Sequence, residues 1–122
     1  MKKLISILYF LSSLPLLAQQ ENAIEIFSFY NGNTFYSKCF EQQNPLIKAQ
    51  CNDYIRGALD GISNMQVINK DFCIFKWPRD GTIDQFTDVV LKFLKENPDK
   101  RASSAAFLII LSLHQSFPCP SK

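Results

Sequence analysis

Between Pro45 and Met65 the apolar residues Cys51, Ile55, Ala58, Ile62 and Met65 recur at steps of four and three. That spacing draws a single stripe along about five turns of helix. Asn44 supplies a capping side chain, and Pro45 suits the first helical position, where the missing N–H needs no partner. A second pattern starts at Thr82. Ile83, Phe86, Val90 and Phe93 line one face, and Thr82 with Gln85 makes a capping box. Asp84 adds negative charge to the first turn and Lys92 and Lys95 add positive charge to the last, as the helix dipole favours. "ENPDK" ends this helix before its proline. A last helix runs through "ASSAAFLIILSLHQSF". Ala105 to Leu111 is apolar on all sides, which predicts neighbours on more than one face. Seven apolar residues cannot cross a bilayer.

The segments between are shorter or unpatterned. "NGNTFYSKCF" predicts a short helix capped by Asn33 or Thr34, with Cys39 near its end. "NKDFCIFKWPRDG", Asn69 to Gly81, breaks the helical period and reads as a loop of thirteen residues. In Gln19 to Asn33, Ile24 and Ile26 alternate like a strand, while Ile24, Phe27 and Tyr30 fit a helix, so either structure suits it. No hairpin signature occurs after the N-terminal leader. The fold class is all-α: a small disulfide-linked domain of three main helices plus one or two short ones.

The leader changes the compartment. "MKKLISILYFLSSLPLLA" has a basic start, an apolar run and small residues at its end, the order of a secretory signal peptide. Its apolar run, Leu4 to Leu17, is shorter than the roughly twenty residues of a membrane span. Cleavage near Ala18 leaves no membrane attachment. The expected organisation is a signal peptide at 1–18, an N-terminal segment at 19–32 and a helical domain at 33–122, in the periplasm. Removing 18 of 122 residues leaves 104, enough for one domain. Losing Lys2 and Lys3 leaves 11 basic residues against 11 acidic, a net charge of zero. Nothing in that balance attracts nucleic acid or an anionic membrane. All four cysteines, Cys39, Cys51, Cys73 and Cys119, follow the leader, and an even number in a small exported domain reads as two disulfides.

Catalytic chemistry finds little support. No C-x-x-C pair is present, and a metal site would need more than the single His114. A cysteine–histidine dyad would need a free thiol that the even count does not leave. His114 therefore reads as structural, and no cofactor motif occurs. In "CNDYIRGALDG", Tyr54, Gly57, Ala58 and Gly61 share one helix face. Two glycines inside a helix cost about 1 kcal/mol each relative to alanine, which predicts a second helix packed closely on them. Asp53, Arg56 and Asp60 read as a solvated row of ion pairs.

Taken together, these pieces resemble the Rap1a/Tai family of type VI secretion immunity proteins. The resemblance rests on Cys51, Tyr54, Gly57 and Asp60 at three-residue steps, then Cys73, and then P-x-x-G-T-x-x-Q from Pro78 to Gln85. It continues through "VVLKFLKENPDKR" and closes on "FPCP" at Phe117 to Pro120, so it covers about Gly32 to the C-terminus. It implies a periplasmic helical domain, often a homodimer, that blocks a cognate secreted effector hydrolase, commonly a peptidoglycan amidase. By the same resemblance Tyr54, Gly57, Asp60, Gln85 and Pro98 are framework residues. One departure is visible: the family usually places a proline two residues after the mid-chain cysteine, whereas Pro78 stands five after Cys73.

That longer loop is the expected effector-binding site, with the equal alternative that Phe72 and Trp77 fold inward as a lid on the core. Phe72, Phe75 and Trp77 alternate with Lys76 and Arg79, and aromatic residues and arginine are the usual interface anchors. The expected action is binding, with no enzyme activity and no metal. Four cysteines allow three pairings. The favoured one joins Cys39 to Cys51, tying the short helix to the long one, and Cys73 to Cys119, tying the loop base to the C-terminus. The alternative function is a periplasmic helical chaperone or envelope stress protein, which would hold unfolded clients on a broad apolar surface.

Overall fold

The computed structural model describes residues 30–121. The expected signal peptide at 1–18 and most of the expected N-terminal segment lie outside the described residues. Four helices follow one another: α1 (Gly32–Cys39), α2 (Pro45–Ile68), α3 (Ile83–Glu96) and α4 (Ala105–Ser116), with a 3-10 turn at Pro98–Lys100. No strand occurs among the described residues. An isolated antiparallel bridge between Asn31 and Ser104 seats the start of the domain against the start of α4.

Local chemistry accounts for most helix ends. Asn44 Oδ1 accepts the amides of Leu46 (2.9 Å) and Ile47 (3.4 Å) and opens α2 as expected. Thr82 Oγ1 accepts the Gln85 amide at 3.2 Å and opens α3. The start of α1 differs from expectation. Asn31, rather than Asn33 or Thr34, is the cap, its Oδ1 accepting the Thr34 amide at 2.9 Å. The reason is tertiary. The Gly32 amide donates to Ser103 O and the Asn33 amide to Arg101 O, so the first turn borrows acceptors from the α3–α4 connection. At the far end of α3, Arg101 Nε donates to the otherwise open Leu94 carbonyl at 2.6 Å, and its guanidinium lies 3.7 Å from the centre of the Tyr36 ring. A cation at a helix C-terminus suits the dipole, and the stacked ring shields it from water.

The core is one cluster. Cys51, Ile55, Leu59 and Ile62 of α2 face Phe86, Val90, Phe93 and Leu94 of α3 and Leu108, Ile109 and Leu113 of α4, with Phe35 of α1 closing one end. Fully burying each large apolar side chain contributes about 1.5–3 kcal/mol, so this cluster drives the fold. A polar link crosses from α2 to α3. Asn52 Nδ2 donates to Asp84 Oδ1 at 2.9 Å, and the buried Thr87 hydroxyl lies 2.7 Å from Asn52 Oδ1 and 3.0 Å from Ile83 O. A hydroxyl has one proton, so it serves one of those two acceptors at a time.

Two expectations need correcting. The α2 stripe runs through Leu59 rather than Ala58, and Met65 is exposed. The buried positions drift because α2 is 24 residues long against 14 for α3 and 12 for α4, so no apolar residue after Ile62 is buried. No helix packs on Gly57 and Gly61: both are exposed, and a Cβ at either would meet nothing within 4 Å. α4 touches α1, α2 and α3, as its all-round apolar surface predicts, and Phe107 stays open to solvent. The remaining framework candidates are mixed. Tyr54 packs edge-on against Tyr30 at 5.2 Å, whereas Asp60, Gln85 and Pro98 are exposed. Arg56 pairs with Asp53 at 2.5 Å, with both side chains mostly in water, so the pair adds a few tenths of a kcal/mol.

Candidate protein-binding site

Residues 69–82 carry the loop, and its backbone explains its shape. Asn69 ends α2, its amide donating to Met65 O, and its own carbonyl accepts the Phe72 amide at 3.0 Å. That turn swings Phe72 outward, 46% exposed. Cys73 is bonded to Cys119, and Cys39 to Cys51, so the described residues hold no free thiol. Immediately after Cys73 the chain dips into the core. Ile74 O lies 2.5 Å from His114 Nδ1. A carbonyl oxygen only accepts, so Nδ1 carries the proton and His114 is a structural donor, tying α4 to the loop. The Lys76 amide donates to Phe117 O at 2.9 Å, a second tie to the residues after α4.

Phe75 is the pivot of this segment. It is 0% exposed, with its ring 4.7 Å from Trp77, 6.4 Å from Phe86 and 6.5 Å from Phe117. It therefore corrects the expectation that Phe75 meets a partner: it is the peg that holds the loop to the domain. Trp77 behaves differently. One edge packs against Phe86 with ring centres 5.9 Å apart, and 38% of the residue remains exposed. Lys76 and Arg79 both point into solvent. Pro78 to Gly81 then turns the chain back, with the Gly81 amide 3.4 Å from Pro78 O. A Cβ there would sit 2.7 Å from Pro78 Cγ and 3.1 Å from Phe86 Cζ, so any larger residue would push one of those rings aside.

The outcome is an open groove of ≈ 730 Å³ between the loop and the residues after α4. Trp77, Pro78, Phe117 and Pro118 supply apolar walls, while Lys76 and Arg79 place two cations at the rim. Of the five residues predicted to bind, the structure presents Phe72, Lys76, Trp77 and Arg79 on the surface and withdraws Phe75. It also adds residues that periodicity had hidden. Ile68 is 86% exposed, and Met65 and Val67 stand beside it at the end of α2, leading directly into Phe72. The signal for them was the apolar "VI" in "MQVINK", just where the helical stripe loses its phase.

Elsewhere among the described residues, no group of three or more His, Cys, Asp or Glu is placed to hold a metal ion, and no helix is long and apolar enough to cross a membrane. A smaller groove of ≈ 370 Å³ lies beside the Cys39–Cys51 bridge, lined by Tyr30, Phe35, Lys38 and Tyr54. It offers aromatic surface and one cation, without a nucleophile and base in reach of each other.

A helical core pinned by two disulfides, carrying an anchored loop with aromatic and basic side chains turned outward, defines a small protein-binding domain. The family-level comparison agrees with that class. A sequence model of the Rap1a immunity proteins matches residues 31–119, and the chain belongs to that family. It is thus an immunity protein of type VI secretion, a role that implies a cognate effector as partner. No curated protein and no solved structure matches the chain.

Proposed function

We propose that this protein binds a type VI secretion effector that hydrolyses the cell wall, a peptidoglycan amidase, and blocks it in the periplasm. Inhibition is by occupancy: the loop from Phe72 to Arg79 enters the hydrolase cleft, and the protein performs no catalysis of its own. The observation that carries this reading is the division of labour within the loop. Phe75 is wholly buried while Trp77, two residues on, keeps its free edge between two exposed cations. A rigid aromatic edge costs little entropy to immobilise, and flanking cations steer it towards an acidic cleft. The two disulfides suit an oxidising compartment. The family resemblance extends the reading to a homodimer, for which sedimentation of the purified chain is the direct check.

The test is titration of the protein, expressed with its leader and purified, against a panel of purified peptidoglycan amidases and other wall hydrolases by calorimetry. Tight one-to-one binding to one hydrolase, with loss of its activity, supports the proposal. The Lys76→Ala/Arg79→Ala variant, which removes two exposed side chains, is expected to weaken that binding at least tenfold, about 1.4 kcal/mol, while the unfolding midpoint moves little. Weak binding to many unfolded clients and tight binding to no folded hydrolase would favour the chaperone reading, which the exposed Met65, Val67 and Ile68 would then serve.

A further inference from the structure

The two disulfides sit in opposite environments. Cys39 and Cys51 are 5% and 3% exposed and belong to the core cluster, where α1 meets α2. Cys73 is exposed and Cys119 half-buried, at the base of the loop and in the stretch after α4. Thiol–disulfide exchange requires a thiolate to reach a sulfur, so access alone separates the two bridges. What each bridge holds also differs. Cys39–Cys51 joins two helices that already pack against each other, across 12 residues. Cys73–Cys119 spans 46 residues and joins two irregular segments.

Loss of the second bridge would leave the neighbouring ties in place. Phe75 stays in the core, Lys76 stays bonded to Phe117, and His114 stays bonded to Ile74. These lie on the inner side of the bridge. Outward of it, Asn69 to Cys73 keeps a short turn, closed by the Phe72 amide on Asn69 O and the Asp71 amide on Asn69 Oδ1, and among the described residues Pro118 to Ser121 makes no backbone hydrogen bond. Reduction therefore releases a defined part of the surface: Phe72 on one side and the tail from Pro118 on the other, with Pro118 forming one wall of the groove.

We propose that Cys73–Cys119 is a selectively reducible clasp on the binding loop, the site at which a dithiol reductant of the thioredoxin class changes the surface without unfolding the domain. The reductant thiolate attacks Sγ of Cys73, the more exposed residue of the pair, and Cys119 leaves as the thiolate. The second thiol of the reductant then resolves the mixed disulfide. Cys73 and Cys119 each end as thiols, taking up two protons between them, and the reductant is oxidised to its own disulfide. The biological meaning of this clasp, control over effector binding, rests on the proposed function; the chemistry does not.

The experiment uses the oxidised protein, expressed as the full chain, and no partner, so its result is independent of whether an effector is ever captured. Dithiothreitol is titrated under native conditions, the sample is quenched with iodoacetamide, and peptide mass mapping reports which cysteines are alkylated. Cys73 and Cys119 are expected to label together at reductant levels that leave Cys39 and Cys51 unlabelled and the helical circular dichroism intact. Hydrogen exchange is expected to speed up roughly tenfold or more at the Phe72 amide, which donates to Asn69 O, with the core amides of α2 and α3 unchanged. The Cys73→Ser/Cys119→Ser variant should fold and reproduce that exchange pattern. Labelling of all four cysteines in one step, resistance of the Cys73 bridge until the domain unfolds, a double variant that does not fold, or unchanged exchange at the loop would each overturn the clasp.

Discussion

Replacing Phe75 with alanine separates an anchor from an interface residue. The side chain is 0% exposed and lies within ring-contact distance of Trp77, Phe86 and Phe117, so truncation leaves a hole that three aromatic neighbours border. Phe→Ala at such a site costs about 3–5 kcal/mol, the transfer of the ring plus the cavity left behind. A domain of this size has only about 5–15 kcal/mol to lose. At roughly 4–8 °C per kcal/mol for a small domain, the melting midpoint should fall by on the order of 15–30 °C. Phe75→Leu fills most of the space and should cost far less. Urea unfolding followed by circular dichroism gives the free energies, and Trp77 emission reports the loop, because its ring lies 4.7 Å from Phe75. A loss below about 1 kcal/mol in the alanine variant, well under the range for a buried phenylalanine, would refute the anchor assignment and return Phe75 to the binding surface.

Two further predictions concern glycines and have opposite signs. Gly57→Ala and Gly61→Ala should each raise stability by up to about 1 kcal/mol in urea unfolding, because both positions are exposed helix interior with open space for a methyl group; destabilisation would mean that something packs there. Gly32→Ala should lower stability by about 1–3 kcal/mol in the same assay, since its Cβ would meet Leu108 Cδ1 at 2.5 Å and the Arg101 carbonyl at 2.8 Å, and backbone cannot step aside as a side chain can.

Those glycines also mark where reading the chain stops being enough. Gly57, Gly61 and Gly32 all lie in helices, yet only the positions of Leu108 and Arg101, 76 and 69 residues further on, make Gly32 the constrained one. The loop divides in the same way. Its limits were legible, because Asn69 and Thr82 are strong local signals on either side of a stretch without helical period. Which of its aromatics turn inward was not, since Phe72, Phe75 and Trp77 carry nearly the same preference for burial. The Lys76–Phe117 and Ile74–His114 ties, both spanning about 40 residues, decide it by drawing Phe75 under the chain.

By itself the sequence determined what depends on neighbours a few positions away: the helices, the Asn44 and Thr82 caps, the loop limits and an even set of cysteines. Short-range hydrogen bonds and the 3.6-residue period are written within one or two turns of chain, so they survive without knowledge of the fold. Tertiary structure alone decided how far each neighbour reaches along α2, and so which apolar residues stay wet. Periodicity sets the direction in which a side chain points; only the packed partners settle whether anything is there to meet it. Met65, Val67 and Ile68 are exposed because the shorter α3 and α4 leave the last turns of α2 uncovered.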